Sequence, residues 1–265
     1  MEPWFWWVAT AVLAFVWLGP GWRPRGLAGV DRPGPWAFGH RGVRGSLPEN
    51  TMAAFRAALD AGLDGLETDV QRTRDGHLVL FHDFEVAGRR VVDTDLAALR
   101  AVVPDLATLD ELLALVAERP GTVCNVELKT RGWGDRALAR SVARALRASG
   151  LADRLVVSSF SPLALARLRL RAPELRTAFL WSDHEAIPGV LRGPWPGALL
   201  HVDALHPHHR LATPERVAAW RRRGLRVHVW TVNEADDVAR VLAAGVDGVM
   251  ADDPAALLAA MGRTP

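Results

Sequence analysis

From Trp36 onward, short apolar runs alternate with longer stretches whose apolar residues recur at helical spacing. The short runs predict strands at Trp36–His40, Gly65–Val70, Val123–Lys129, Leu155–Phe160, Arg176–Trp181, Ala198–Leu205, Arg226–Val232 and Asp247–Ala251. The longer stretches predict helices over Asn50–Ala61, Thr108–Glu118, Trp133–Ala148, Pro162–Leu170, Pro214–Arg223 and Glu234–Ala244. Gly62, Gly150, Gly224 and Gly245 punctuate their ends. Eight strands joined by crossovers of this length predict a parallel closed sheet. The fold class is therefore α/β, a (β/α)8 TIM barrel occupying residues 36–265. No internal repeat or second domain is evident.

One interval breaks the alternation. Only Arg74-Asp75-Gly76 separates Asp69–Thr73 from the strand-like His77–Asp83. So short a link cannot carry a parallel crossover, so it predicts a short β-hairpin return after strand 2. A turn centred on Asp75-Gly76 sets Thr73 opposite Leu78, Gln71 opposite Leu80 and Asp69 opposite His82.

Ahead of the barrel, residues 4–18 form an almost unbroken apolar run with Trp4, Trp6, Trp7 and Trp17, followed by Arg23 and Arg25. Residues 1–20 read as an apolar helix anchoring the chain to a membrane, with residues 21–35 as a Gly-, Pro- and Arg-rich linker. The positive flank follows the run, which places the catalytic domain in the cytoplasm. The alternatives are a cleaved signal with secretion, and a helix packed on the domain.

Composition adds exclusions. Apolar residues are 49% and charged residues 23%, enough for a large core, and the mean hydropathy of +0.06 argues against a polytopic membrane protein. The net charge is only +2 with both signs interspersed, which excludes a nucleic-acid-binding stripe. Cys124 is the one cysteine, so no intrachain disulfide forms. Lys129 is the only lysine, Gln71 the only glutamine, and Asn50, Asn125 and Asn233 the only asparagines. In a chain this rich in arginine and alanine, such survivors are enriched where a substitute fails.

The candidate chemistry gathers at strand ends. Glu67 and Asp69 are two apart on a strand, so they share one face near its carboxyl end. Glu127 repeats this on the next parallel strand, with Lys129 on the same face. Inward carboxylates repel unless a cation lies between them. Hard oxygen donors suit Mg2+ or Ca2+, and the alternative is pairing with arginines. Arg41 offers a fork for phosphate, and His40 and His82, each at a strand end, suit general acid/base work. Asn50 or Thr51 reads as a helix N-cap, and Glu49 as support for the site loops. Trp230 offers an apolar wall for a glycerol or lipid backbone. His201, His206, His208 and His209 match no tetrahedral metal spacing and read as solvated loop histidines. Gly-rich phosphate loops and a nucleophilic serine elbow are absent.

Taken in order, these residues resemble the glycerophosphodiester phosphodiesterase family. The matching stretches are His40-Arg41-Gly42, Pro48-Glu49-Asn50-Thr51 with Ala54-Phe55, Gly65 to Val70, Thr73 to Gly76 and His82-Asp83. They continue through Glu127-Leu128-Lys129, Val157 to Phe160, Trp230 to Asn233 and Gly245 to Gly248. The resemblance covers about residues 36 to 255. It implies a barrel that hydrolyses glycerophosphodiesters to sn-glycerol 3-phosphate and an alcohol. It further implies a divalent metal, Mg2+ or Ca2+, at Glu67, Asp69 and Glu127, with His40 and His82 as acid/base pair. Arg41 and Lys129 then contact phosphate and Trp230 contacts substrate. Two stretches depart from the family pattern: Phe84 to Asp95 lacks its Leu-x-Arg-Thr-Thr-like run, and Ala251-Asp252 replaces Thr-Asp. Both leave head-group preference open.

Two other functions compete. A membrane-associated lysophospholipase D-type enzyme would act on lysoglycerophospholipids, and an inactive tethered scaffold would only bind. Retention of the inward carboxylates together with both histidines argues against the scaffold.

Overall fold

Helix starts along the chain are set by short polar side chains. Thr51, Thr108, Ser161, Thr213 and Asp253 each accept a backbone N–H from the first turn of the helix that follows. Thr108 and Glu111 form a reciprocal capping box, and proline follows the cap at 162, 214 and 254. The computed structural model describes residues 24–25, 34–130, 136–185 and 187–263. The apolar run at 4–18, most of the linker and the start of the Trp133–Ala148 helix lie outside the described residues. Among the described residues no helix is long and apolar enough to cross a membrane.

The strands are β1 (Trp36–His40), β2 (Gly65–Arg72), β3 (Leu78–Leu80), β4 (Glu85–Val86), β5 (Arg89–Arg90), β6 (Val123–Leu128), β7 (Leu155–Ser159), β8 (Arg176–Trp181), β9 (Ala204–Pro207), β10 (Arg226–Val229) and β11 (Gly248–Ala251). Eight of them, β1, β2 and β6 to β11, are parallel and close because β1 pairs with both β2 and β11. The chain is thus a (β/α)8 barrel. The main helices are α1 (Met52–Asp60), α2 (Leu96–Arg100), α3 (Leu109–Glu118), α4 (Arg136–Ala148), α5 (Pro162–Arg171), α6 (Trp195–Leu199), α7 (Pro214–Arg222), α8 (Ala235–Ala243) and α9 (Pro254–Ala260). Their buried faces meet the outside of the barrel in one large apolar cluster.

Three expectations need correction. Residues 198–205 are not one strand: α6 runs to Leu199, and β9 begins only at Ala204. Pro194 and Pro196 lack the N–H that a ladder needs, and proline fits the first turn of a helix. The hairpin register is one residue off the expected one, with Val70 opposite Leu80, Gln71 opposite Val79 and Arg72 opposite Leu78. The turn is a three-residue loop, closed by Thr73 N–H donating to the His77 carbonyl, with Gly76 at φ +97°. The last ladder bond is from the Phe81 N–H to the Asp69 carbonyl at 2.9 Å, which sets Phe81, not His82, opposite Asp69. Lastly, His206 and His209 are not solvated; both are buried.

His206 belongs to a polar layer across the barrel interior. Its ring lies 4.9 Å from that of His228, which in turn lies 5.2 Å from Phe38. Neither ring nitrogen of His206, nor Nδ1 of His228, has a hydrogen-bond partner among the described residues. Burial pushes both imidazoles toward the neutral form, and His228 falls to about 4. Below the unfolded value near 6.5 only the unfolded chain gains these protons, so stability falls as pH drops from 6.5 toward 4. His228 alone accounts for about 3 kcal/mol of that loss. We expect urea midpoints measured between pH 6.5 and 4.5 to fall less steeply for His206→Leu/His228→Leu than for the unaltered chain. Equal slopes would show that the pair is not held neutral.

Candidate active site

The carboxyl ends of the parallel strands form the open mouth. Register brings the acidic residues together: His40 lies beside Glu67 across the β1–β2 ladder, and Asp69 beside Glu127 across β2–β6. One carboxylate oxygen from each of Glu67, Asp69 and Glu127 lies within 4.8 Å of the others, and all three residues are buried. Around them is a cavity of about 220 Å3, lined on one side by His40, Arg41, His82 and Lys129 and on the other by Phe160, Leu180, Trp230 and Met250. A space below the ~300 Å3 of drug-sized pockets suits a small polar group.

Two cations face the three carboxylates. Arg41 sets Nε 3.1 Å from Asp69 and donates from Nη1 to Glu49 at 2.8 Å, while its backbone N–H donates to Glu67 at 3.1 Å. Lys129 Nζ lies 3.2 Å from Glu127 and 3.4 Å from Asp69. The carboxylates converge, and the alternative, Glu67 and Glu127 in surface salt bridges with arginines, is not what forms: all three acids are buried, Arg41 meets Asp69, and Glu127 meets Lys129. The balance still leaves one negative charge uncompensated in a buried place. Burial, then Asp69 and Glu127, pushes the Glu67 carboxyl well above the carboxylate range. Burial lifts Glu127 to about 7 despite Lys129. Burial opposes ionisation of Asp69 too, but Lys129, Arg41 and the Asn50 amide outweigh it and hold Asp69 low. The donors are oxygens only, and excess negative charge is what a hard divalent cation neutralises, so this residue set fits Mg2+ or Ca2+.

The two histidines are held differently. His40 Nδ1 shares a 2.7 Å hydrogen bond with Asp252, leaving Nε2 turned toward Glu67 at 3.9 Å. Asn233 fixes Asp252 by donating its amide to Oδ2 at 2.8 Å and accepting the Asp252 N–H. His82 lies beyond the end of β3 on a segment gripped by Gln71, whose amide donates to the Phe81 and Asp83 carbonyls at 2.8 and 2.7 Å. Its Nδ1 bonds Asp83 at 2.8 Å. Burial, then Lys129 and Arg41, lowers its pKa against the pull of Asp69, so the ring is neutral at pH 7. Trp230 donates from Nε1 to the His206 carbonyl at 2.8 Å and meets Phe160 edge-on at 5.5 Å, forming a fixed apolar wall.

The mouth thus brings together His40, Arg41, Glu67, Asp69, His82, Glu127, Lys129 and Trp230. Four further residues were not read from the sequence as part of it. Thr51 alone caps α1; Asn50, at φ +57°, instead donates to Asp69 at 3.0 Å and accepts the Thr68 hydroxyl at 2.8 Å. Asp252, Asn233 and Gln71 support the histidines. For Gln71 the available signal was its rarity, for Asn50 and Asn233 their rarity and their place in the stretches that resemble the family, and for Asp252 that it keeps the aspartate of the family's Thr-Asp pair at the end of the last strand.

The model of the glycerophosphoryl diester phosphodiesterase family matches residues 40–256. A glycerophosphodiester phosphodiesterase of Caldanaerobacter subterraneus subsp. tengcongensis is 32% identical, over 83% of this chain and 94% of the relative. A phosphodiesterase of Oleispira antarctica, solved with the product sn-glycerol-3-phosphate, aligns with a TM-score of 0.71 at 25% identity, covering 86% of this chain and 97% of that one. The glycerophosphodiester phosphodiesterase of Thermotoga maritima gives 0.70 at 25% identity over 88% and 100%.

Proposed function

Since the chain belongs to the glycerophosphoryl diester phosphodiesterase family, we propose that it hydrolyses glycerophosphodiesters to sn-glycerol 3-phosphate and an alcohol, with His40 and His82 moving the protons. The observation that carries this reading is the trio of buried carboxylates at the barrel mouth with the imidazoles of His40 and His82 lining the same cavity.

Glu67, Asp69 and Glu127 would hold the divalent cation, Mg2+ or Ca2+. Bound there, it supplies Lewis-acid stabilisation of charge on the phosphoryl oxygens. Arg41 and Lys129 add positive charge to the same oxygens. His82, neutral at pH 7, takes the proton from the neighbouring free hydroxyl of the glycerol as that oxygen attacks phosphorus. The bond from phosphorus to the head-group oxygen breaks, and His40 Nε2 delivers a proton to that oxygen. Asp252, holding Nδ1, keeps Nε2 pointed inward for this transfer. Water then opens the cyclic phosphate with the two roles reversed, giving glycerol 3-phosphate. Trp230 and Phe160 exclude water from one side of the glycerol.

A panel of glycerophosphodiesters assayed with and without chelator tests this. Glycerol 3-phosphate should form from at least one of them, stop forming with chelator and resume on addition of Mg2+ or Ca2+. Turnover undiminished by exhaustive chelation would refute the metal assignment, and release of any other phosphorylated product would refute the reaction.

A further inference from the structure

We propose that the apolar amino-terminal run holds the barrel to a lipid bilayer by its closed end, so that the site opens away from the bilayer and draws deacylated glycerophosphodiesters from solution. This rests on the phosphodiesterase reading above for the substrate class, but not for the orientation.

The linker residue Arg25 is bound at the end of the barrel opposite the mouth. Its backbone N–H and Nε donate to Asp203 Oδ1 at 2.9 and 3.2 Å, and Nη2 donates to Oδ2 at 3.3 Å. The same guanidinium donates to the carbonyls of Pro173, Glu174 and Leu175 at 2.8, 2.8 and 2.9 Å. Asp203 is itself fixed, accepting the Thr177 N–H at 2.9 Å. Pro24 covers Gly224, whose ideal Cβ position is 3.2 Å from the proline ring. All these partners lie just before β8, β9 and β10, at the amino ends of the strands.

The tether is short. Seven residue steps separate Arg25 from Leu18, the end of the apolar run, a reach of about 25 Å at full extension. A compact domain of some 230 residues is about 45 Å across. With the mouth on the lipid, the docked end would lie about 45 Å from it, farther than the tether allows. With the closed end down, the tether is slack. This face carries both signs, with exposed Arg171, Arg222 and Arg223 beside exposed Asp60, Glu118 and Asp153 and with Arg147 paired to Glu174, so the tether and not the charge selects the pose. Tryptophans of the apolar run suit the interface. A lysolipid in the same bilayer would then lie beneath the barrel, away from the carboxylates.

The test uses the full chain on vesicles of phosphatidylglycerol and phosphatidylcholine, with a fluorophore on one introduced cysteine. Cys124 is buried and its thiolate disfavoured, so it stays unlabelled. Ala148→Cys labels the closed end, and Ser46→Cys, in the loop after β1, labels the mouth. A head-group nitroxide lipid should quench the Ala148 label several-fold more than the Ser46 label, and Arg25→Ala should shrink that difference. The bound enzyme should turn over glycerophosphocholine as fast as detergent-released enzyme, yet leave vesicle-embedded lysophosphatidylcholine intact. Failure to bind vesicles, stronger quenching at Ser46, or choline release from embedded lysolipid would each overturn the proposal. Absence of turnover on every substrate would count against the phosphodiesterase reading alone, since quenching reports the pose without catalysis.

Discussion

His82→Ala is expected to lower kcat by about 10²–10⁴-fold, the range for losing a positioned general base. Thermal stability should hardly change, because the ring is partly exposed and its hydrogen-bond partner among the described residues, Asp83, lies in solvent. Metal affinity should also persist, since Glu67, Asp69 and Glu127 are untouched. The acidic limb of the pH–rate profile adds a finer readout. Burial and Lys129 hold the His82 pKa below 6.5, so the unaltered enzyme keeps its base deprotonated at neutral pH and loses rate only as pH falls below that value. The residual activity of the alanine variant should lack this limb. Near-native turnover of His82→Ala in excess metal would show that the base is some other group. His40→Ala should cost a similar factor, and Asp252→Asn a smaller one, because Asp252 acts through the orientation of His40.

Glu67→Gln separates catalysis from stability more sharply. Loss of one charged ligand should remove several kcal/mol of transition-state stabilisation, about 10³-fold in rate. The metal-free protein should respond in the opposite sense. Glu67 and Glu127 both have pKa values raised above those of the unfolded chain, so each contributes stability that is present below about 4.5 and lost as pH rises through its folded value, about 7 for Glu127. Metal-free enzyme at pH 8 therefore sets ionised Asp69 and Glu127 against Glu67, which is costly to ionise beside them, and glutamine at 67 removes that conflict. Melting temperatures at pH 8 should rank the variant above the unaltered chain without metal. A saturating divalent cation should then reverse the order, adding about 2.7 kcal/mol to the unaltered chain at 100 times Kd. If Glu67→Gln were the less stable chain in chelator, the carboxylates would not be in conflict, and the case for an ion between them would fail.

Most of the barrel was legible because β-strands and helices impose different apolar periods on the chain. The carboxylates were legible for a related reason: a two-residue spacing fixes Glu67 and Asp69 on one face whatever the rest does. What escaped was decided by single residues. Prolines at 194 and 196 turned an apolar run into a short helix, and one extra loop residue in the hairpin moved the register. The side chain of Asn50 escaped because capping and ligand support use the same chemistry; only the tertiary approach of Asp69 decides between them. Compositional rarity was more informative than local pattern. Lys129, Gln71, Asn50, Asn125 and Asn233 all lie in or against the mouth, where the Asn50 and Asn233 amides each donate and accept, the Gln71 and Asn125 amides donate, and the Lys129 ammonium touches two carboxylates. Neither arginine nor alanine can donate and accept as an amide does.

The β2 overhang has a consequence for how such an enzyme diversifies. Gly65–Arg72 runs two residues past its last pairing with β6, and the excursion from Thr73 to Ala107 is held by the short β3 ladder, by a bond from the Leu80 N–H to the Ala107 carbonyl and by Leu80 and Ala107 packed in the large apolar cluster. That excursion donates one imidazole and nothing else to the reacting centre. It is a graftable cassette: its rim can be rewritten for a new alcohol while the ion cradle, built wholly on the cylinder, stays as it was.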